Sequence, residues 1–336
     1  MPLVYNGLMG LKINLLGVRG SLATPFLPIH LEERLFSILS TFHSSKAQDP
    51  LTFLETLPSA LKGGYGGNTC CVHVESFSRK TKKKGTEIII DAGTGLRHLN
   101  NQYMLGGCAE GKGDVHLFFT HFHWDHIMGL PFFPPIYIPG NKIHLYAVQD
   151  DLPMMMETLF RRPFFPVEFK MLSSQIIFHQ LKPRKVYDFG DMTITPYQLD
   201  HPDPCWGYKV ESDQKTYAHC VDTEAIRLTK EELGQDLPLY QNVDLMLFDA
   251  QYSIKEAQEK RNWGHSSAPK GLEIALREKI KHVVFVHHDP FASDEQTSKM
   301  AREAAKYFES IQGKNQNLSG QIKWEIGQEG QSFILE

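Results

Sequence analysis

The chain has 336 residues, 41 % hydrophobic and 22 % charged, with 26 glycines and 19 prolines; this excludes disordered, collagenous and disulfide-scaffold proteins and allows one large layered core. Lysine plus arginine number 35 against 39 acids, a net charge of −4, which gives no electrostatic basis for gripping long nucleic acid. The conspicuous residue is histidine, 16 in all and several in short clusters, while the five cysteines (Cys70, Cys71, Cys108, Cys205, Cys220) show no C-x-x-C pairing and fit a reducing compartment.

From the start of the chain, Met1 to Gly20 has its first base, Lys12, inside the apolar stretch and no small-residue cleavage pattern, so no secretory leader is expected. Short apolar runs between Gly, Asp and Asn predict strands at Leu11–Leu16, Cys71–Glu75, Glu87–Asp91, Val115–Thr120, Lys142–Tyr146 and Met192–Gln198. A hairpin follows at Gly207–Glu211 and Thr216–Val221, then Asp244–Phe248, His282–Val286 and a closing pair, Ile322–Glu325 with Ser332–Leu335, around Gly327 and Gly330. Helical periodicity marks Leu31–Phe42, Leu51–Leu61, Leu152–Phe160, Thr223–Leu233, Ser267–Lys279 and Ser293–Glu309. Two strand-rich halves that each carry helices predict an α+β fold, a four-layer αββα sandwich forming a single domain over 1–336. Additions to that core are expected at about 27–62 and 150–182, the latter carrying Met154, Met155, Met156, Phe160, Phe164 and Phe165 as core or as a ligand wall. Lys82-Lys83-Lys84 reads as a solvated hairpin tip. The apolar run Met128–Pro139 is broken by four prolines and too short to span a bilayer, so a cytoplasmic protein without membrane contact is expected.

The chemistry starts at Thr120-His121-Phe122-His123-Trp124-Asp125-His126, directly after a predicted strand. In an extended segment side chains two apart point the same way, so His121 and His123 can converge on one cation while Asp125 and His126 face a second. Imidazole with carboxylate suits Zn²⁺ first, with Mn²⁺ or Fe²⁺ as alternatives.

His-x-His-x-Asp-His after a strand resembles the signature of the metallo-β-lactamase fold hydrolases. Gly17-Val18-Arg19-Gly20-Ser21, Tyr65-Gly66-Gly67-Asn68-Thr69, Asp91-Ala92-Gly93-Thr94-Gly95 and Trp263-Gly264-His265-Ser266 are similar to the phosphodiesterase branch. That branch includes ribonuclease Z, the phosphoribosyl cyclic phosphodiesterase of phosphonate breakdown and cyclic-nucleotide phosphodiesterases. The resemblance implies two divalent metal ions. His121, His123 and His201 would hold one, Asp125 and His126 the other with His287 or His288, and Asp222 would bridge them. His287 is favoured, because only one of the adjacent pair can face the metals in an extended segment. The resemblance also implies a catalytic role for Asp125, for His265 as the proton donor to the leaving oxygen, and for Asp249 as the acid paired with it. Asp91 is expected behind the ligands, or simply in a strand-end turn. Two metals about 3.5–4 Å apart can hold a hydroxide between them and clamp a phosphoryl oxygen during in-line displacement.

Ribonuclease Z carries a long tRNA-gripping insertion between the third histidine of the first metal and the bridging aspartate. Here His201 and Asp222 are 21 positions apart, room for one hairpin. The cysteine-based structural zinc site of the phosphonate enzyme is not reproduced by these five cysteines. A small cyclic phosphodiester is therefore expected as substrate, a cyclic nucleotide foremost, with His288, Asn68, Phe164, Phe165 or Trp206 contacting it. The alternatives are a ribonuclease Z-like RNA endonuclease, a lactonase, β-lactamase or glyoxalase-type hydrolase and, more remotely, a noncatalytic binding subunit. Homologous enzymes are commonly dimers, so a homodimer is expected, with residues 27–62 serving as a partner surface or a lid.

Overall fold

Runs such as Ile88-Ile89-Ile90 and Val283-Val284-Phe285-Val286 are what strands covered on both faces require. With period two, Ile88, Ile90, Val284 and Val286 point into one core, whereas Ile89, Val283 and Phe285 point outward into two others. A computed structural model describes residues 8–314 and 322–336. Met1 to Gly7, part of the segment read for a leader, and residues 315–321 of the expected domain lie outside the described residues.

The strands are β1 (Met9–Gly17), β2 (Cys71–Ser78), β3 (Lys84–Ile90), β4 (Asp114–Phe118), β5 (Lys142–Ala147), β6 (Gln175–Gln180), β7 (Tyr187–Asp188), β8 (Thr193–Gln198), β9 (Trp206–Ser212), β10 (Lys215–Cys220), β11 (Leu245–Asp249), β12 (His282–Val286), β13 (Lys323–Ile326) and β14 (Ser332–Leu335). They form two seven-stranded sheets, ordered β14-β1-β2-β3-β4-β5-β6 and β13-β12-β11-β10-β9-β8-β7. The runs β3 to β6 and β10 to β13 are parallel; the remaining pairs are antiparallel. Leu11, Ile13, Val72, Ile90 and Phe118 of the first sheet meet Ile194, Tyr208, Tyr217, Leu247 and Val284 of the second in the inter-sheet core. Outside the first sheet, Leu96, Leu130 and Met156 cover Ile89 and Leu117; outside the second, Leu272, Ala275 and Phe308 of helices Ala268–Glu278 and Asp294–Lys314 cover Phe248 and Phe285. This is the four-layer αββα sandwich. Truncating Phe248 to alanine in such a layer costs about 3–5 kcal/mol.

Four local readings are corrected. The closing pair separates, β13 joining β12 and β14 joining β1, because the connection is stitched to both sheets: Gly327 N–H donates to Phe285 O at 2.8 Å and Gly330 N–H to Leu15 O at 2.7 Å. The helix expected over Thr223–Leu233 shrinks to Lys230–Leu233, started by a Thr229–Glu232 capping box, since Asp222 and Ala225 are held at φ of 62° and 47°. Leu51–Leu61 is split by Pro58 into Pro50–Thr56 and Ser59–Lys62. Strands β6 and β7 were not expected; they are the edges of the two sheets, where half-covered residues blur the alternation. The stretch 150–182 thus contains β6, and its Met and Phe stripe divides: Met156 and Phe160 are buried, Met154 and Phe164 exposed. Within 27–62, helix Pro28–Ser44 buries none of its residues and is tethered by Arg34 to Asp294 at 2.6 Å.

Candidate metal centre

Strands that run the same way in a layered sheet open their C-terminal ends onto a common edge, where the ensuing loops can present side chains to one place. Seven strands do so here. β1 leads to Ser21, β3 to Asp91, β4 to His121, β8 to His201, β10 to Asp222 and β12 to His287, while β11 ends on Asp249. Three of these loop residues, together with Ser21, are non-glycine residues in left-handed backbone: Ser21 (φ 59°), Asp91 (61°), Asp222 (62°) and His287 (64°). Each such conformation costs on the order of 1–3 kcal/mol and is kept where surrounding structure over-determines it.

The donor atoms of His121, His123 and His201 all lie within 4.8 Å of one another. His121 presents Nε2, since its Nδ1 faces Thr120 Oγ1 at 3.1 Å. His201 likewise presents Nε2, its Nδ1 lying 3.0 Å from Asp203 O. Gly264 permits this approach: a Cβ there would fall 2.2 Å from His201 Cδ2. His123, the residue preceding helix Trp124–Ile127, is half-exposed, with Nε2 2.8 Å from Asp203 Oδ2. Burial pushes the His121 and His201 imidazoles below their ordinary range, so both remain neutral with lone pairs available.

Beside this triad is a carboxylate-rich group. His126 Nε2 lies 2.8 Å from Asp222 Oδ2 and 3.3 Å from Asp125 Oδ2, and His287 Nε2 lies 3.2 Å from Asp125 Oδ2 and 3.3 Å from Asp222 Oδ1. Asp91 stands behind His126, 2.8 Å from its Nδ1, and itself accepts from Thr120 N–H at 2.9 Å. That carboxylate fixes the ring so that Nε2 faces the cluster. Asp125 is held from the other side by the Ser21 N–H at 2.7 Å. Burial opposes charge on His126 and His287, yet Asp222 and Asp125 hold both well above the ordinary imidazole range. This pocket attracts positive charge.

His265 sits at the edge of that group. Its Nδ1 is 3.0 Å from Asp249 Oδ2 and 3.4 Å from Asp222 Oδ1, and Asp249 Oδ1 also accepts from Ser266 N–H at 3.0 Å. The aspartate thereby sets both the ring and the loop carrying it, leaving Nε2 free for a substrate.

The structure thus brings His121, His123, Asp125, His126, His201, Asp222, Asp249, His265 and His287 together. His288 is turned away, its Nε2 2.9 Å from Gly327 O. Asn68 is engaged with Glu329, donating from Nδ2 to Oε1 at 2.7 Å. Phe165 packs edge-on against Phe132 and Phe160, each at 5.7 Å, Phe164 is exposed, and Trp206 is buried at the start of β9. Sequence reasoning missed Asp203 beside His123 and the backbone amide of Ser21. Proximity to His201 and membership of the Gly-Val-Arg-Gly-Ser motif were the only signals for them.

A metal fits these residues on one physical ground. His121 Nε2 and His201 Nε2 are buried without a hydrogen-bond partner, and His126 Nε2 and Asp222 Oδ2 lie buried 2.8 Å apart without forming an aligned hydrogen bond. Orphaned polar atoms of this kind are costly, and a cation placed among them satisfies them jointly. The grouping of His73, Glu75 and Glu87 on β2 and β3 differs, because Lys84 Nζ already occupies it, 2.9 Å from Glu75 Oε1.

Residues 86–288 match the Beta-lactamase superfamily domain. Ribonuclease BN of Cronobacter sakazakii is 21 % identical over 275 residues, spanning 66 % of this chain and 84 % of its own. Unliganded yeast PDE1 superposes with a TM-score of 0.58 at 14 % identity, covering 98 % of this chain and 100 % of its own. The metallo-beta-lactamase fold protein YhfI from Bacillus subtilis does so with a TM-score of 0.58 at 14 % identity, covering 97 % and 99 %. Among the described residues no helix is long and apolar enough to cross a membrane.

Proposed function

The chain belongs to the Beta-lactamase superfamily domain family, and from that premise we propose that it is a phosphodiesterase that hydrolyses a small cyclic phosphodiester, a cyclic nucleotide foremost, with two divalent cations, Zn²⁺ ahead of Mn²⁺ or Fe²⁺. The observation that carries this reading is the set of buried imidazole and carboxylate atoms without aligned hydrogen bonds next to the His265–Asp249 pair. His121, His123 and His201 would hold one ion, and Asp125, His126 and His287 the other, with Asp222 between them. Bound, such ions supply positive charge for a phosphoryl oxygen and lower the pKa of water to about 7.

The remaining work falls to the chain. Asp91 orients His126, and the Ser21 N–H fixes Asp125. An alkoxide leaves poorly unless it gains a proton as the P–O bond breaks. His265, oriented through Nδ1 by Asp249, offers Nε2 as the donor to that oxygen. In a cyclic ester the leaving oxygen stays attached to the product, so the donor must reach a fixed position.

A second reading, an RNA endonuclease, is favoured by the likeness to ribonuclease BN. Against it, the interval from His201 to Asp222 holds only the hairpin of β9 and β10, closed by Asp213 and Gln214, and the net charge is −4. Assay of 2′,3′- and 3′,5′-cyclic nucleotides, cyclic dinucleotides, bis-nitrophenyl phosphate and a precursor tRNA with Zn²⁺ or Mn²⁺ separates the two. Turnover of a cyclic nucleotide without tRNA cleavage is expected; the reverse pattern would replace the first reading with the second. Absence of any transition metal from protein purified without chelator would overturn both.

A further inference from the structure

One thiol faces the carboxylate-rich group. Cys70 immediately precedes β2, which Cys71 opens, and the two side chains enter different cores. Cys71 enters the outer core of the first sheet, while Cys70 turns to the inter-sheet side. There the donor atoms of Cys70, His126, Asp222 and His287 all lie within 4.8 Å of one another. Cys70 is 4 % exposed, its Sγ donates a long hydrogen bond to Arg19 O at 3.6 Å, and the thiol also faces the His287 ring. A second observation marks this as more than a buried small side chain: His126 Nε2 and Asp222 Oδ2, in the same group, lie buried 2.8 Å apart without forming an aligned hydrogen bond, as two ligands of one ion would.

We propose that Cys70 is a further protein ligand, a fifth, of the cation held by Asp125, His126, Asp222 and His287. The inference rests on the metal-dependent reading above and adds a donor to it. With Zn–S near 2.3 Å and Zn–N near 2.0–2.1 Å, sulfur and nitrogen on one five-coordinate ion stand about 3.1–3.8 Å apart, which small side-chain rotations reach from the observed spacing. On binding, the Sγ–H bond breaks, the proton passes to solvent and the sulfur lone pair forms the bond to the ion, with no change of oxidation state. Thiolate is a soft donor, so this half of the centre selects Zn²⁺ or Co²⁺ over Mn²⁺. Among carboxylates and imidazoles alone that preference is weaker.

The test uses the full-length protein loaded with Co²⁺. The wild type is expected to show a sulfur-to-cobalt charge-transfer band in the near ultraviolet as well as visible ligand-field bands. Cys70→Ser should lose the former, keep the latter and bind Zn²⁺ at least ~10-fold more weakly, the lower end of what losing an outer partner of a ligand costs. Cys108→Ser, in the outer core, should keep the charge-transfer band. Ligand-field bands without charge transfer in the wild type would overturn the role of Cys70 and leave the metal centre standing; no cobalt uptake would overturn the metal centre itself. A charge-transfer band that survives Cys70→Ser assigns the sulfur elsewhere and overturns the proposal. Should Cys70→Ser not fold, X-ray absorption of the Zn²⁺-loaded wild type decides: a sulfur shell near about 2.3 Å supports the proposal, and a nitrogen and oxygen shell alone overturns it.

Discussion

The two halves of the centre are made of different material. His121, His123 and His201 form an all-imidazole triad that opens toward solvent at His123, whose side chain is 46 % exposed. Asp125, His126, Asp222 and His287 form an anionic group with side chains no more than 7 % exposed. Leaving the triad empty forfeits less, because it strands two neutral imidazole nitrogens and no buried charge. Leaving two carboxylates buried without compensation costs several kcal/mol, so protons or a cation must be present there. The difference predicts an order of filling: the carboxylate half is occupied first and emptied last.

The largest test removes what the halves share. Asp222 touches His126, His287 and His265, and its charge also acts on His121 and His201. Asp222→Ala is expected to lower turnover at least ~10³-fold, comparable to losing a major electrostatic group, and to release metal from both halves. Two metals per chain retained in this variant, by elemental analysis, would break the comparison. Next comes His265→Ala, which should keep both metals yet lose ~10²–10⁴-fold on esters with poor leaving groups, the usual worth of a positioned acid. On an activated nitrophenyl ester the loss should be much smaller, and equal losses on both substrates would argue against proton donation. His201→Ala then addresses the order of filling directly. One equivalent of metal should remain, with thermal stability little changed, whereas loss of both equivalents would show that the triad fills first.

These expectations rest unevenly on what could be read beforehand. Apolar runs made the strands legible because burial on both faces leaves a continuous pattern, as in Glu87-Ile88-Ile89-Ile90. His121, His123, Asp125 and His126 were legible because they are neighbours along the chain. His201, Asp222, His265 and His287 entered only through resemblance, since nothing local distinguishes His201 before a proline from a turn residue. Cys70, Asp203 and Ser21 carry little local signal, because their roles exist only once the ends of β1, β8 and β12 and the start of β2 meet at one edge. The separation of β13 from β14 was illegible for the same reason: the hydrogen bonds to Phe285 and Leu15 that divide them are long-range.

The third histidine and carboxylate grouping supplies the control for the comparison. Around Glu87, burial raises the carboxyl, but hydrogen bonds from His73 and Lys84 outweigh it and bring the group down to about 2. Its charge is therefore balanced from within the chain. A carboxylate lowered by folding stabilises the fold above its unfolded pKa, near 4.5, and loses that contribution as pH falls toward its folded value of about 2. Glu87→Gln should thus cost on the order of 1–2 kcal/mol at pH 7, with partial exposure discounting the full shift. The cost should shrink between pH 4.5 and 2 and be the same with or without chelator, measured by denaturant unfolding of wild type and variant. A cost that changed on removing metal would place a cation at Glu87 as well, and internal lysine compensation would no longer distinguish this cluster from the carboxylate half of the centre.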